Sequence, residues 1–366
     1  KTVMQVMSEM HSRAAKMMGE HISALPDGTF SAEDYLDNDG IVDTPLKIAL
    51  DLTIKANRMI LDFSRTSPAC AGPVNIALST AVASVYVAIK HLFIEVPANS
   101  GVLSPIEIII PEGSLLNVKA PKPVGGYTET ILRIIDVVFS AMANIAPDRV
   151  NGCAYGTINA LSLAGHRPDG SRWVMFSFFG GGHGGHPQGD GLNHGNAPIS
   201  TATIPPAEIL EAAYPVKFTK WALRPDSGGP GRHRGGLGAR YEIELLVEVA
   251  SVFLFGERGK FSPPGVLGGK SGALNKFTYE QDDGVHSPLL SSKMNDIKLK
   301  KGQKLLLQTP GGGGYGTPYE RDPDAVALDV SLGYVSRENA VRQYAVSIND
   351  DGTLNKKKTH NLRKVS

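Results

Sequence analysis

Hydrophobic positions change period several times along this chain, and each change marks an element. Over residues 3–22, Val3, Met4, Met7, Met10, Ala14, Met17, Met18 and Ile22 recur at helical spacing. That spacing predicts an amphipathic helix. Methionines on such a face are expected in the core, where a flexible thioether fills irregular gaps. Asp27-Gly28 ends the element in a turn. The period then falls to two. Leu46, Ile48, Leu50, Leu52 and Ile54 alternate with Lys47, Ala49, Asp51 and Thr53. After a turn at Ala56-Asn57-Arg58, Met59, Leu61 and Phe63 alternate again, which predicts a hairpin with one buried face.

Helical spacing returns at 75–92 and, most clearly, at 128–146, where Ile131, Ile134, Ile135, Val138 and Met142 share a face. Apolar stretches predict strands at 106–110, 173–179, 241–246, 251–255 and 304–308, with a short helix at 206–213. Asp322 caps a helix with Pro323 at its first position, and Gly333 stops it. Ser336 caps another helix that runs to about Tyr344. The tail from Asp350, with Lys356, Lys357, Lys358, Arg363 and Lys364, is expected to be flexible. Helices and strands mix without a βαβ rhythm. The expected class is α+β, with mixed, largely antiparallel sheets, packed helices and long Gly-rich loops. Three regions follow. Residues 1–165 form an α+β region with the hairpin and two core helices, 166–320 a β-rich region with the Gly-rich loops, and 321–366 the C-terminal helices and basic tail.

Composition narrows the class. A chain of 366 residues with 42% hydrophobic and 20% charged residues is ordinary for a globular protein. A net charge of +1 gives no bulk reason to expect nucleic acid or an anionic membrane as partner. No apolar run reaches the roughly 18 residues of a spanning helix, and no secretory pattern follows Lys1. Two cysteines, Cys70 and Cys153, make no disulfide framework, so a reducing cytoplasm is the expected compartment.

Candidate chemistry concentrates between Phe178 and Gly236, where glycines, histidines, carboxylates and arginines crowd together. Glycine there gives up backbone entropy and offers no side chain to bury, so the run reads as a site or an interface rather than a packed core. His183, His186, Asp190 and His194 form the first constellation. Imidazole and carboxylate together suit zinc or manganese, and His183, His186 and Asp190 are the candidate ligands. The same side chains could instead hold substrate or bond to neighbouring loops. Arg224 and Asp226 open a second constellation that runs to Gly236. Its arginine could fork onto a carboxylate or phosphate, or the two residues could pair and pin a turn. Gly125-Gly126-Tyr127-Thr128-Glu129 precedes a helix whose N-terminus could hold an anion, with Thr128 as the alternative cap. Val266–Ser271 ends like a P-loop, but Pro264 stands where the first glycine belongs.

Several segments, in order, carry a resemblance. They include ALPDGTFSAEDYLDNDG, DFSRTSPACAGPVN, PEGSLLNVKAPKPVGGYTET, the GGGHGG–DGLNH loop, LRPDSGGPGRHRGGLG, GERGKFSPPGVLGG and TPGGGGYGTPYERDPDAV. Together they resemble the hydantoinase B/oxoprolinase family. That resemblance implies a partner, an actin-like ATPase chain of the hydantoinase A type. The partner uses ATP and Mg²⁺ to phosphorylate a carbonyl or enolate oxygen. The B-type chain then completes hydrolysis of a cyclic amide or, in relatives, carboxylation of a ketone. A divalent metal, zinc or manganese, is expected in the complex. The family's N-terminal His/Asp metal motifs have no counterpart here, so a separate chain carrying that region is a further expected partner. His183, His186 and Asp190 are then expected to be catalytic, with Glu129 moving a proton. Arg224, Asp226, His194 and Tyr127 are expected to contact substrate. The extra histidines, with the run NHGNAPISTATIPP, suggest a branch nearer the ketone carboxylases. A non-catalytic assembly role is the third reading.

Overall fold

The computed structural model describes residues 2–200 and 205–365. It divides into two units, Lys1–Val150 and Asn151–Ser366. The class is α+β, as the mixed periods predict.

The first unit contains helices α1 (Thr2–Ser23), α2 (Leu78–Leu92) and α3 (Tyr127–Met142). Its sheet holds β1 (Gly28–Leu36), β2 (Leu46–Lys55), β3 (Arg58–Asp62) and β4 (Ile106–Ile109), in the order β1-β2-β3-β4. The predicted hairpin is β2–β3, with Leu52 opposite Leu61 and Ile54 opposite Met59. The last pair, β3–β4, is parallel. Helix α3 packs on β1, β2 and α2. It is buried on nearly every side, Arg133 and Glu129 included. Methionine burial departs from expectation. Met18 is in the core, but Met4, Met7 and Met10 lie on the solvated half of α1.

The second unit is built on two antiparallel sheets. One has the order β11-β10-β13-β8-β7, from β7 (Val216–Leu223), β8 (Ala239–Leu245), β10 (Lys276–Gln281), β11 (Gly284–His286) and β13 (Lys304–Gln308). The other has the order β12-β9-β5-β6, from β5 (Ala160–His166), β6 (Arg172–Phe178), β9 (Val249–Phe255) and β12 (Lys293–Lys300). Their inward positions share one core, with Leu161, Met175, Val252 and Leu254 from one sheet and Tyr241, Ile243, Phe277 and Leu307 from the other. Period-two burial on facing strands is the signature of a sandwich. The expected boundary near 165 would cut β5, which pairs with both β6 and β9. The division therefore falls earlier, after Val150.

Helix α4 (Ala207–Ala213) precedes β7, and α5 (Pro323–Ser331), α6 (Arg337–Tyr344) and α7 (Lys356–Val365) close the chain. The expected flexible tail is instead partly this last helix. Asn355 caps it by accepting from the Lys358 N–H at 2.9 Å. Thr359 is buried beneath it and accepts from the Ser347 N–H at 3.0 Å. The lysines lie on the outer side of the helix, so their charge does not oppose packing.

The glycine-rich segments overturn one expectation. They are packed interior, not open loop. Segments near 152–155, 180–195, 227–238, 263–273 and 309–316 lie side by side and bond backbone to backbone. Gly182 N–H donates to Pro310 O at 3.0 Å, Gly236 N–H to His183 O at 2.7 Å, and Gly313 N–H to Cys153 O at 2.8 Å. A Cβ on Gly184 would stand 1.7 Å from the Gly152 carbonyl oxygen, and one on Gly182 would stand 1.8 Å from that of Gly236. The segments touch through bare backbone, and only glycine permits that approach. The entropy glycine loses is offset by the backbone hydrogen bonds between these segments.

Candidate functional site

The glycine layer carries the predicted polar residues, and it commits most of them. His183 is mostly buried, with Nε2 at 2.5 Å from the Asn196 carbonyl oxygen. Burial pushes its imidazole pKa down, against the help of that bond. His186 is more open and sits at the bridge with Gly189, its Nδ1 3.2 Å from Gln188 Oε1. Asp190 receives two bonds from Arg321, Nη1 to Oδ1 at 2.6 Å and Nη2 to Oδ2 at 2.7 Å. It also accepts from the Arg234 N–H at 2.7 Å. Burial works against its charge, but the Arg321 and Arg234 guanidinium groups outweigh that and hold the carboxyl below its usual range.

His183, His186 and Asp190 therefore do not converge as ligands. Each points its donor atoms at a different partner. Among the described residues, no three His, Cys, Asp or Glu side chains gather to hold a metal ion. The donor set does not fit zinc or manganese.

His194 occupies a different place, with a left-handed φ of +50°. Its Nε2 accepts from Trp221 Nε1–H at 3.3 Å and from the Tyr241 hydroxyl. Two donors on one nitrogen leave the proton of the neutral ring on Nδ1. Burial lowers the His194 pKa and raises that of Tyr241 well above its ordinary value. Arg224 does not pair with Asp226. Its Nη1 donates to three carbonyls, Leu274 at 2.7 Å, Thr309 at 3.2 Å and Gln308 at 3.3 Å. Asp226 caps α6 indirectly, accepting from the Ser336 N–H at 2.8 Å. Both sides of the predicted substrate wall thus tie strand and helix ends together.

Two residues of this layer gain importance in three dimensions. His233 is half-buried and lies within electrostatic reach of Arg232, Asp190, Arg321 and His186. Burial lowers its pKa first, and Arg232 lowers it further, so it is neutral near pH 7. Arg321 carries no sequence signal beyond its place in the TPYERDPDAV string, yet it joins Asp190 to Asp329 of α5 at 2.8 Å. Arg232 is exposed, and His186 and His233 are partly exposed.

Glu129 and Tyr127 belong to the first unit. There, three loops knit around the N-terminus of α3. Asp39 accepts from the N–H groups of Val42 at 2.7 Å, Ile41 at 2.8 Å and Gly72 at 3.0 Å. Burial opposes its charge, but those backbone donors hold its pKa down. Asn75 Nδ2 donates to Gly72 O at 2.9 Å and Pro123 O at 3.1 Å. Gly126 N–H donates to Pro73 O at 2.8 Å. The helix cap is Gly126, without a side-chain bond, rather than Thr128. Tyr127 is 46% exposed beside it. Glu129 is fully buried in the first turn, one turn before Arg133. Arg133 in turn lies 3.7 Å from Asp34 and 3.6 Å from Asp136. Cys70 is half-buried beside this knot, and burial followed by the Asp39 charge raises its thiol pKa. The ordered string DNDG was the available signal for Asp37–Asp39. Its burial was not legible, because acidic runs ordinarily lie at the surface.

The fold is seen in solved structures. The nucleotide-free structure of acetone carboxylase superposes with a TM-score of 0.85 at 19% identity, covering 96% of this chain and 54% of that one. An ATP-dependent caprolactamase from Pseudomonas jessenii gives a TM-score of 0.84 at 26% identity, covering 99% and 64%. The B component of a putative D-/L-hydantoinase from Pseudomonas sp. strain NS671 is 28% identical over all of this chain and 63% of its own length. The family model for hydantoinase B/oxoprolinase matches residues 1–318. The chain belongs to the hydantoinase B/oxoprolinase family. It spans less than two thirds of the length of these relatives. Among the described residues, no helix is long and apolar enough to cross a membrane.

Proposed function

We propose that this chain is part of the B-type component of an ATP-dependent amidohydrolase that opens a cyclic amide. The observation that carries this reading is the likeness to the ATP-dependent caprolactamase over 99% of the chain. The partner is an actin-like ATPase chain that binds ATP with Mg²⁺. The chemistry explains why ATP is needed. An unstrained amide is a poor electrophile. Transfer of the γ-phosphoryl group to the amide oxygen releases ADP and activates the carbon. Water adds, the C–N bond breaks as nitrogen takes a proton, and an acyl phosphate remains. A second water releases phosphate and the carboxylate.

This chain offers His186 and His233 as bases for the water proton. Arg232 offers a guanidinium for developing negative charge. Asp190, Arg321 and Arg234 hold the backbone that carries these groups. The divalent metal expected in the complex is assigned to residues outside this set.

The test is reconstitution of this chain, within its full-length polypeptide, with the ATPase chain from the same source. ADP, phosphate and ring-opened product are measured together, with and without bicarbonate. Amide-stimulated ATP hydrolysis without bicarbonate supports the reading. ATP hydrolysis that requires bicarbonate and a ketone replaces it with carboxylation. Full activity after loss of both His186 and His233 reduces the chain to an assembly role.

A further inference from the structure

Arg232 and His233, the cation and a base of the functional reading, converge on one buried ring. Tyr315 is 3% exposed. It pairs with His233 through two reciprocal backbone bonds, His233 N–H to Tyr315 O at 3.0 Å and Tyr315 N–H to His233 O at 2.9 Å. Residues paired in this way project their side chains to one side. The imidazole and phenol ring centroids are accordingly 6.1 Å apart. The Cζ of Arg232 lies 5.7 Å from the centroid of the same phenol ring.

Consecutive residues of an extended segment ordinarily send their side chains to opposite faces. Arg232 reaches the Tyr315 ring by passing over Gly316. A Cβ on Gly316 would stand 3.1 Å from the Cβ of Arg232 and 3.7 Å from its Nε. Gly316 also has a φ of +70°, where glycine is favoured. Backbone bonds fix the chain on either side of the phenol. Val266 N–H donates to Gly314 O at 3.0 Å, Gly316 N–H to Val266 O at 3.1 Å, and Arg232 N–H to Gly316 O at 3.1 Å. Arg232 makes no ion pair among the described residues. An aromatic face, rather than an acid, therefore holds its guanidinium.

We propose that Tyr315 is the positioning residue of this site. Its ring sets the Arg232 guanidinium and the His233 imidazole at one spacing, so that both act on the same reacting group. Being buried, the ring works through these two side chains rather than on substrate. A guanidinium fork held in advance loses less freedom when it meets an anion. The same placement keeps a positive charge near His233. The other groups that His233 faces are Asp190, which raises its pKa, and Arg321 and His186, which lower it as Arg232 and burial do. The proposal rests on the reading of this chain as the amide-opening component.

Two measurements test it. In the first, the full-length polypeptide is labelled with diethyl pyrocarbonate from pH 5 to pH 8, and the His233 peptide is followed by mass spectrometry. The reagent takes the neutral imidazole, so the rate reports the His233 pKa. Arg232→Gln removes a nearby positive charge and is expected to move that pKa up. In a Tyr315→Leu background the same substitution is expected to move it little, because the guanidinium is no longer held there. Equal shifts in both backgrounds overturn the proposal. In the second, kcat and KM are measured in the reconstituted enzyme. Tyr315→Leu is expected to lower kcat by about tenfold or more with KM near the parent, as a misplaced catalytic group does. Tyr315→Phe keeps the ring and is expected to recover most of that loss. The double variant Tyr315→Leu/Arg232→Gln is expected to be no slower than the slower of its two parents, and fully additive losses overturn the proposal. Thermal midpoints show which variants fold. If Tyr315→Leu does not, Gly316→Ala takes its place, since its methyl group displaces Arg232 and leaves the ring. A parent complex without amide-stimulated turnover sinks the functional reading alone, and the labelling then decides whether Tyr315 holds Arg232 beside His233.

Discussion

Arg321 grips Asp190 with two parallel bonds of 2.6 and 2.7 Å, although the two residues are 131 positions apart. The same guanidinium reaches Asp329 of α5, and Arg234 adds a contact to Asp329 at 3.4 Å. Two arginines and two aspartates thus balance in a mostly buried cluster that clamps the glycine layer to the C-terminal helices.

Arg321→Met is expected to destabilise the fold by about 3 kcal/mol, the usual consequence of removing one member of a buried pair. Urea unfolding followed by circular dichroism measures it. The Asp190 carboxyl pKa is depressed in the folded state, so its contribution is present above the unfolded value near 3.8. That contribution is lost as pH falls through the lower folded value. A parent protein whose stability is flat from pH 5 to pH 2 contradicts the clamp.

The glycine layer makes a sharper prediction about two neighbouring positions. Gly184→Ala places a methyl group 1.7 Å from a backbone oxygen, which no side-chain rotation relieves. Loss of folding, or at least ~3 kcal/mol, is expected, at the top of the range for overpacking. Gly189→Ala meets nothing nearer than His186 at 3.6 Å. It is expected to stay within about 0.5 kcal/mol. Similar melting temperatures for both variants would show that the segments are not in contact.

His194 gives a pH signature distinct from that of Asp190. Its folded pKa lies below the ordinary 6.5, because burial disfavours the charged ring. The unfolded chain therefore binds the proton more readily. Stability from this group is present above pH 6.5 and declines as pH falls below it. Melting temperatures between about pH 5 and pH 8 should show that slope in the parent. His194→Gln should flatten the slope, leaving the part that His183 and His233 contribute, and shift Trp221 fluorescence, since the indole loses its acceptor.

In the reconstituted enzyme, His233→Asn is expected to lower kcat by roughly 10² or more, as loss of a general base does. The acidic limb of its pH–rate profile should change while KM stays near the parent. Asp190→Asn is expected to lower thermal stability together with activity. If His233→Asn leaves kcat untouched, His186 is the remaining base on this chain, and the double variant decides.

The sequence alone determined much of the skeleton, because periodicity is a local property. The β2–β3 hairpin, α2, α3, β6, β8, β9, β13 and the capped helices after Asp322 and Ser336 all announce themselves in a few consecutive residues. The ordered motifs also carried the family. Strands β1, β7, β10 and β12 were not legible, since their polar outer positions blur the alternation. Residues 201–204 of the run after His194 lie outside the described residues. Only the tertiary structure decided what the glycines are for. Composition marked them as open loop, but close approach of backbones is a relation between distant segments. It likewise decided that Asp190 is clamped by Arg321 and that Arg224 binds carbonyls rather than Asp226. Spacing along a chain states which groups are near in sequence, whereas a hydrogen bond is made by whichever group the fold brings within about 3 Å.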